Sequence, residues 1–174
     1  MQLFGESIVK KSGADKIIFP VVFRGGSKNE LLYSLIREIN NFFMEKNLIL
    51  ESKIKSLHLV EKIIDEISDQ YKLDGKYYGN ILIAALESVQ NAIIHGNKQD
   101  ARKFVEVSLK IKNNMLIFTT KDQGDGFDYN NVPDPTAPEN IGNIAGMGTF
   151  LMRKLSDELN FYEEGRVAEL VFKI

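Results

Sequence analysis

The chain has no cysteine, which removes disulfides and thiolate chemistry together. It has only two histidines, His58 and His95, and with no thiolate beside them zinc catalysis is not expected. No apolar run approaches the roughly 20 residues needed to cross a bilayer. The first residues lack the charged-then-apolar pattern of a signal peptide, so the expected location is cytoplasmic. A surplus of positive charge is missing as well. With 22 Lys and Arg against 24 Asp and Glu, a net charge of -2 and a pI near 5.8, there is no basic field to grip phosphate backbones or anionic lipid. Nucleic acid and membrane are therefore not the expected partners. The remainder, 174 residues of which 44% are hydrophobic and 26% charged, suits one ordinary globular domain.

Several nucleotide and cation motifs are absent too. There is no GxxxxGK[ST] phosphate loop, and no glycine cluster completes GxGxxG. The acidic stretch at 122–128, DQGDGFD, is not a calcium loop. Gly124 and Gly126 stand where carboxylates would be needed, and Phe127 stands where the sharp turn needs glycine.

What is present reads as alternating strands and helices. Residues 16–24, KIIFPVVFR, are apolar and β-branched, but Pro20 confines them to an edge strand or a loosely held segment. Helical spacing of Leu31, Leu32, Leu35, Ile36, Ile39, Phe42 and Phe43 predicts an amphipathic helix over 28–46. Alternation predicts a strand over 47–57, and Leu59, Ile63, Ile64, Ile67 and Tyr71 predict a helix over 58–71. Asp74 is placed to cap the next helix. Segments 103–112 and 115–120, joined by Asn113 and Asn114, predict a hairpin. Residues 121–148 hold five of the thirteen glycines and three of the four prolines without periodicity, which predicts a long loop. A helix over 149–158 and a strand over 167–174 complete the expected order.

The stretch 81–97, ILIAALESVQNAIIHGN, is the unusual one. At about 100° per residue, Tyr78, Ile81, Leu82, Ala85, Val89, Ala92 and Ile93 share a broad apolar face, while Glu87, Asn91 and His95 stack along another. Ile83 and Ile94 flank Glu87 on that second face. Two readings follow: a carboxylate among apolar groups, which must be paired, protonated or bound to something, or a half-exposed helix whose Glu87 reaches solvent. His95 reads as a hydrogen-bonding residue at a helix end. Farther on, the glycines of 142–148, GNIAGMG, precede a helix. Backbone N–H groups and the helix dipole make a phosphate site at Gly146 and Gly148 physically reasonable, with a tight turn as the simpler alternative.

The combination is more specific than its parts. Glu87-x-x-x-Asn91 on a helix, a strand ending in Asp122-x-Gly124-x-Gly126, a long loop and Gly146-x-Gly148 entering a helix resemble the three nucleotide-binding boxes of the Bergerat-fold (GHKL) ATPases. Within that superfamily the likeness is to the anti-sigma factor serine kinases of the RsbW and SpoIIAB type. It is carried by NAIIHGN at 91–97, DQGDGFD at 122–128, DPTAPEN at 134–140 and GMGTFLMRKLSDELNFYEEGR at 146–166.

The resemblance implies an α/β fold: a two-layer sandwich of a mixed, mostly antiparallel sheet with helices on one face. It implies ATP and Mg²⁺ as cofactors, with Asn91 as the metal ligand. Asp122 would accept from the adenine amino group, Gly124 and Gly126 would let the base lie against backbone, and 129–145 would form a lid. Gly146, Met147, Gly148 and Thr149 would complete the nucleotide site. Glu87 would orient or deprotonate the attacking hydroxyl. The implied function is a serine/threonine protein kinase that phosphorylates an anti-anti-sigma (STAS-domain) partner and sequesters a regulatory target such as a sigma factor. The alternative is a nucleotide-gated binding regulator with little or no kinase activity. A histidine-kinase catalytic fragment is disfavoured, since no acceptor-histidine helix pair is evident. The expected domain covers 47–174. Residues 1–46 would be an extension of a strand and an amphipathic helix, read either as translated sequence upstream of a start at Met44 or as an accessory segment that covers a sheet edge or forms a homodimer.

Overall fold

The computed structural model describes residues 43–137, 140 and 146–174. The strand expected at 16–24 and the helix expected at 28–46, except its last four residues, lie outside the described residues. Those four belong to a strand, β1 (Phe43–Glu51). Its whole length pairs antiparallel with β2 (Phe104–Lys112), from Phe43 opposite Lys112 to Glu51 opposite Phe104. Ladder pairing outweighs the helical spacing that Phe43 only happens to continue.

The strand expected to reach residue 57 stops at Glu51. A single 3₁₀ turn, Ile54–Ser56, then redirects the chain into α1 (Leu57–Tyr71). Helix α1 buries Val60, Ile63, Ile64 and Ile67, and Lys72 ends it at a φ of 51°. Asp74 caps α2 (Gly75–Asn91) as its position predicts, its Oδ1 accepting from the N–H groups of Lys76 (2.9 Å) and Tyr77 (3.0 Å). Helix α2 buries Ile81, Ala84, Ala85, Ser88 and Val89.

The hairpin of β2 and β3 (Met115–Lys121) turns at Asn113 and Asn114, both left-handed, as the primed two-residue loop requires. Helix α3 (Met147–Leu155) begins two residues before its expected start. It ends at Leu155, where Ser156 turns to extended backbone and donates its hydroxyl to the Met152 carbonyl (2.7 Å). Glu158, expected in the helix, instead opens β4 (Glu158–Tyr162), a strand the sequence reading did not contain. The closing strand, β5 (Val167–Lys173), forms as expected.

The sheet order is β1-β2-β3-β5-β4. Expected to be mixed and mostly antiparallel, it is antiparallel at every pairing of the described strands. One face alternates Val105, Val107, Leu109 and Ile111 on β2 with Leu116 and Phe118 on β3, and these pack with the buried faces of the helices into one core. Strand β5 follows β4 in the chain but lies between β3 and β4. That places its first inner residue, Ala168, beside Thr120 of β3 and opposite Phe161 of β4.

Candidate functional site

Ala168 marks the floor of a pocket of about 570 Å³, a volume in the range of small-molecule sites. The next inner positions of β5, Leu170 and Phe172, are large and fully buried, so the space exists because residue 168 is small. Beside Ala168 on the floor, the buried hydroxyls of Ser88 on α2 and Thr120 on β3 are hydrogen-bonded at 2.9 Å.

One wall comes from the end of α2. The chain does not leave the helix at Asn91. It widens over Ala92–Gly96 into a π-turn, closed by the Asn97 N–H on the Ala92 carbonyl five residues back (2.8 Å). Such turns recur at functional sites because they re-aim the side chains beyond them. Here the turn brings His95 and Gly96 to the pocket, where Gly96 faces Asp122.

Asp122 follows β3 and is 7% exposed. Burial pushes its carboxyl above the usual carboxylate range. A hydrogen bond from the Gly124 N–H (2.7 Å) and the charges of Arg166 and Lys103 pull the other way without cancelling it. A β-carbon on Gly96 would lie 2.4 Å from the carboxyl carbon of Asp122, and one on Gly124 would lie 2.2 Å from the Gly96 carbonyl oxygen. Neither residue can carry a side chain without moving the carboxylate.

The loop after Asp122 is tied to the β4–β5 turn. The Asp122 N–H donates to the Arg166 carbonyl (3.0 Å) and the Phe127 N–H donates to the Glu164 carbonyl (2.9 Å). In that turn Glu163, Glu164 and Gly165 are all left-handed. Phe127 sets its ring edge-on to Phe161 with centroids 5.3 Å apart, and Tyr129 stacks on Phe161 at the same distance. Phe127 and Phe161 thus give the pocket an aromatic side near Asp122.

At the opposite end Gly146, with a φ of 80°, starts α3. A β-carbon on Gly148 would lie 2.9 Å from Oε2 of Glu87, 3.0 Å from Nδ2 of Asn91 and 3.2 Å from its Oδ1. The carboxylate and the amide therefore meet the first turn of α3 at a bare stretch of backbone, next to its unpaired N–H groups.

The structure thus brings Asn91, Asp122, Gly126, Gly146, Gly148 and Thr149 onto one cavity. Glu87 sits at its edge against Gly148. Gly124 lies behind the wall, packed on Gly96 rather than facing the pocket, and Met147 turns outward, 39% exposed. Ile83, read as an apolar neighbour of Glu87, is 46% exposed, and Glu87 is half-buried, which matches the half-exposed reading of that helix. The lid expected at 129–145 is described only in part. Within it, the Asp134 side chain accepts from the N–H (2.9 Å) and hydroxyl (2.7 Å) of Thr136, which hold its carboxyl below the usual range.

Gly96, Ala168, Phe161 and Arg166 were not singled out from sequence. Gly96 stands in the same motif as Asn91, which could have flagged it, whereas β4 holds only Leu159 and Phe161 as an alternating apolar pair. Among the described residues no group of three or more His, Asp or Glu side chains could hold a metal.

A family model described as "Histidine kinase-like ATPase domain" matches residues 50–172. Curated relatives include "Serine-protein kinase RsbW" from Staphylococcus aureus strains JH9 and Newman. Each is 32% identical over 111 residues, covering 58% of this chain and 70% of the relative.

Proposed function

The chain belongs to the histidine kinase-like ATPase domain family, with RsbW-like anti-sigma factor kinases as its relatives, and from that membership we propose that it is an ATP-dependent protein serine/threonine kinase. Its substrate would be a small anti-anti-sigma protein of the STAS type, and its sequestered target a regulatory protein such as a sigma factor. A cytoplasmic location and a homodimer fit this reading. No described helix is long and apolar enough to cross a membrane.

The observation that carries the proposal is the convergence of Glu87 and Asn91 on the Gly148 backbone, with the buried Asp122 on the same cavity. Asp122 would accept the amino group of adenine over the Ala168 floor. The N–H groups opening α3, around Gly146, Gly148 and Thr149, would receive the phosphates. Asn91 would hold Mg²⁺ through its amide oxygen, and metal and nucleotide, when bound, would supply charge neutralisation and the phosphoryl group. Glu87, at the pocket edge, would orient the hydroxyl of a serine entering from outside and take its proton. Positioning and charge neutralisation carry most of the acceleration in phosphoryl transfer, so the close placement of Glu87 and Asn91 against the Gly148 backbone would matter beside the basicity of Glu87.

The test pairs binding with transfer. Asn91→Ala should abolish the thermal stabilisation given by Mg·ATP, and unchanged Mg·ATP affinity in calorimetry would sink the metal assignment. Partners captured from native extract with ATP or ADP present are then incubated with radiolabelled ATP. Label should appear in the partner with wild type and fall by roughly 10²–10⁴-fold with Glu87→Gln at matched ATP occupancy, less if positioning dominates. No label in either protein, with tight partner binding, would identify a nucleotide-gated binding regulator instead.

A further inference from the structure

Asn97 does not line the pocket, yet it is 1% exposed and hydrogen-bonded on every side. Its Nδ2 donates to the Phe104 carbonyl (2.9 Å), and its Oδ1 accepts from the Gln123 N–H (2.8 Å). The Gln123 side chain closes the ring by accepting from the Phe104 N–H (2.9 Å). The backbone N–H of Asn97 closes the π-turn on Ala92. One amide therefore joins three segments: the turn that ends in Gly96, the start of β2 and the loop that begins with Asp122. The orientation of the amide is fixed by its partners, since one faces it as an acceptor and the other as a donor.

The two residues that flank this link approach each other closely at the pocket. Gly96 precedes it in the chain, and Asp122 precedes its partner Gln123. The Asp122 carboxyl lies where a β-carbon of Gly96 would be. A shift of a few tenths of an ångström in either segment would move the carboxylate relative to the floor and the aromatic side.

We propose that Asn97 is a positioning residue for base recognition: it sets the place of the Asp122 carboxylate and so the discrimination between a 6-amino and a 6-oxo purine. The inference rests on the ATP-binding reading above and extends it to a residue that touches no ligand. Asparagine suits the place because it donates and accepts from one planar group. Aspartate would keep the acceptor for Gln123 but set an oxygen against the Phe104 carbonyl. Serine is too short to reach both.

The test is the ratio of ATP to inosine triphosphate affinity, measured by calorimetry in Mg²⁺ for wild type, Asn97→Ser, Asn97→Asp and each combined with Asp122→Asn. Wild type should prefer ATP by about tenfold or more, the effect of a buried acceptor facing another acceptor. In the Asn97 variants ATP affinity should fall toward that of inosine triphosphate. The latter should stay within about twofold of wild type, since its phosphates bind elsewhere. In the Asp122→Asn background the Asn97 substitutions should change the ratio no further. A purely structural role would weaken both nucleotides alike.

Retention of the wild-type ratio in an Asn97 variant with a cooperative thermal transition would overturn the inference, as would equal loss for both nucleotides. Asn97→Asp, closest in volume, carries the test if Asn97→Ser does not fold. A wild type that binds neither nucleotide would instead overturn the ATP reading on which the inference stands.

Discussion

Gly96 and Asp122 meet in space that has no room for a methyl group: a β-carbon on the first would lie 2.4 Å from the carboxyl carbon of the second and 2.6 Å from both of its oxygens. Gly96→Ala should therefore displace the carboxylate. We expect a stability loss of about 1–3 kcal/mol, the usual cost of overpacking. ATP affinity should fall with it, by about tenfold or more. Denaturant unfolding and calorimetry on the same preparation check both, and unchanged ATP affinity would show that the carboxylate does not read the base.

Gly148→Ala should separate stability from function in the opposite sense. Alanine is the better helix former by about 1 kcal/mol, and residue 148 lies in the first turn of α3. Its methyl group would, however, lie 2.9 Å from Glu87 Oε2 and about as close to the Asn91 amide. The melting temperature should hold or rise while phosphoryl transfer is lost. A variant with full transfer activity would show that the close approach of backbone to Glu87 is dispensable.

Asp122 should leave a signature in the pH dependence of folding. Burial raises its carboxyl pKa above the unfolded value. Between those two values the folded chain binds more protons than the unfolded one, so this residue's contribution makes stability fall as pH rises through that window and then level off. Asp122→Asn keeps an oxygen for the Gly124 N–H and removes the charge. It should be at least as stable as wild type near neutral pH, lack the fall, and bind ATP more weakly. Urea titrations from about pH 4 to pH 7 would show it. An identical pH profile in the two proteins contradicts the assignment.

The hydroxyl pair of Ser88 and Thr120 gives a double-mutant cycle. Either Ser88→Ala or Thr120→Val alone leaves a buried hydroxyl without its partner and should cost about 1–3 kcal/mol. The double substitution should cost clearly less than the sum, because no polar atom of the pair remains to be satisfied. Strict additivity would mean that the two groups are not coupled.

Ala168→Leu should fill the floor. With Leu170 and Phe172 already large on the same face, the added side chain can only enter the open pocket. Binding of any nucleotide should disappear with little loss of folding cooperativity. Normal affinity would place the base somewhere other than over β5.

Elements that follow from local chemistry were legible in the sequence: the Asp74 cap, the Asn113–Asn114 hairpin turn and the periodic helices around them. Asn91 in an apolar helix and Gly126 after a strand, each rare in its setting, do lie on the pocket, whereas Gly124 packs behind its wall. What escaped was set by pairing over distance. Phe43 to Lys46 satisfy a helical pattern as well as a strand pattern, and only the β2 ladder decides between them. Strand β4 is five residues long, too short for its alternation to stand out, and its ladder partner β5 lies beyond the Glu163–Gly165 turn. Gly96 and Ala168 are conspicuous only once their neighbours are in place, because their contribution is the space they leave.

The insertion of β5 between β3 and β4 bears on how the protein is made. Translation proceeds from β1 toward β5, so a nascent chain presents β3 with one bare edge until residues 167–173 have left the ribosome. Ala168 lies in β5, and the Arg166 carbonyl that anchors Asp122 immediately precedes it. Until they emerge the Asp122 loop lacks this anchor and the pocket lacks its floor, and the bare edge of β3 is open to edge-to-edge aggregation.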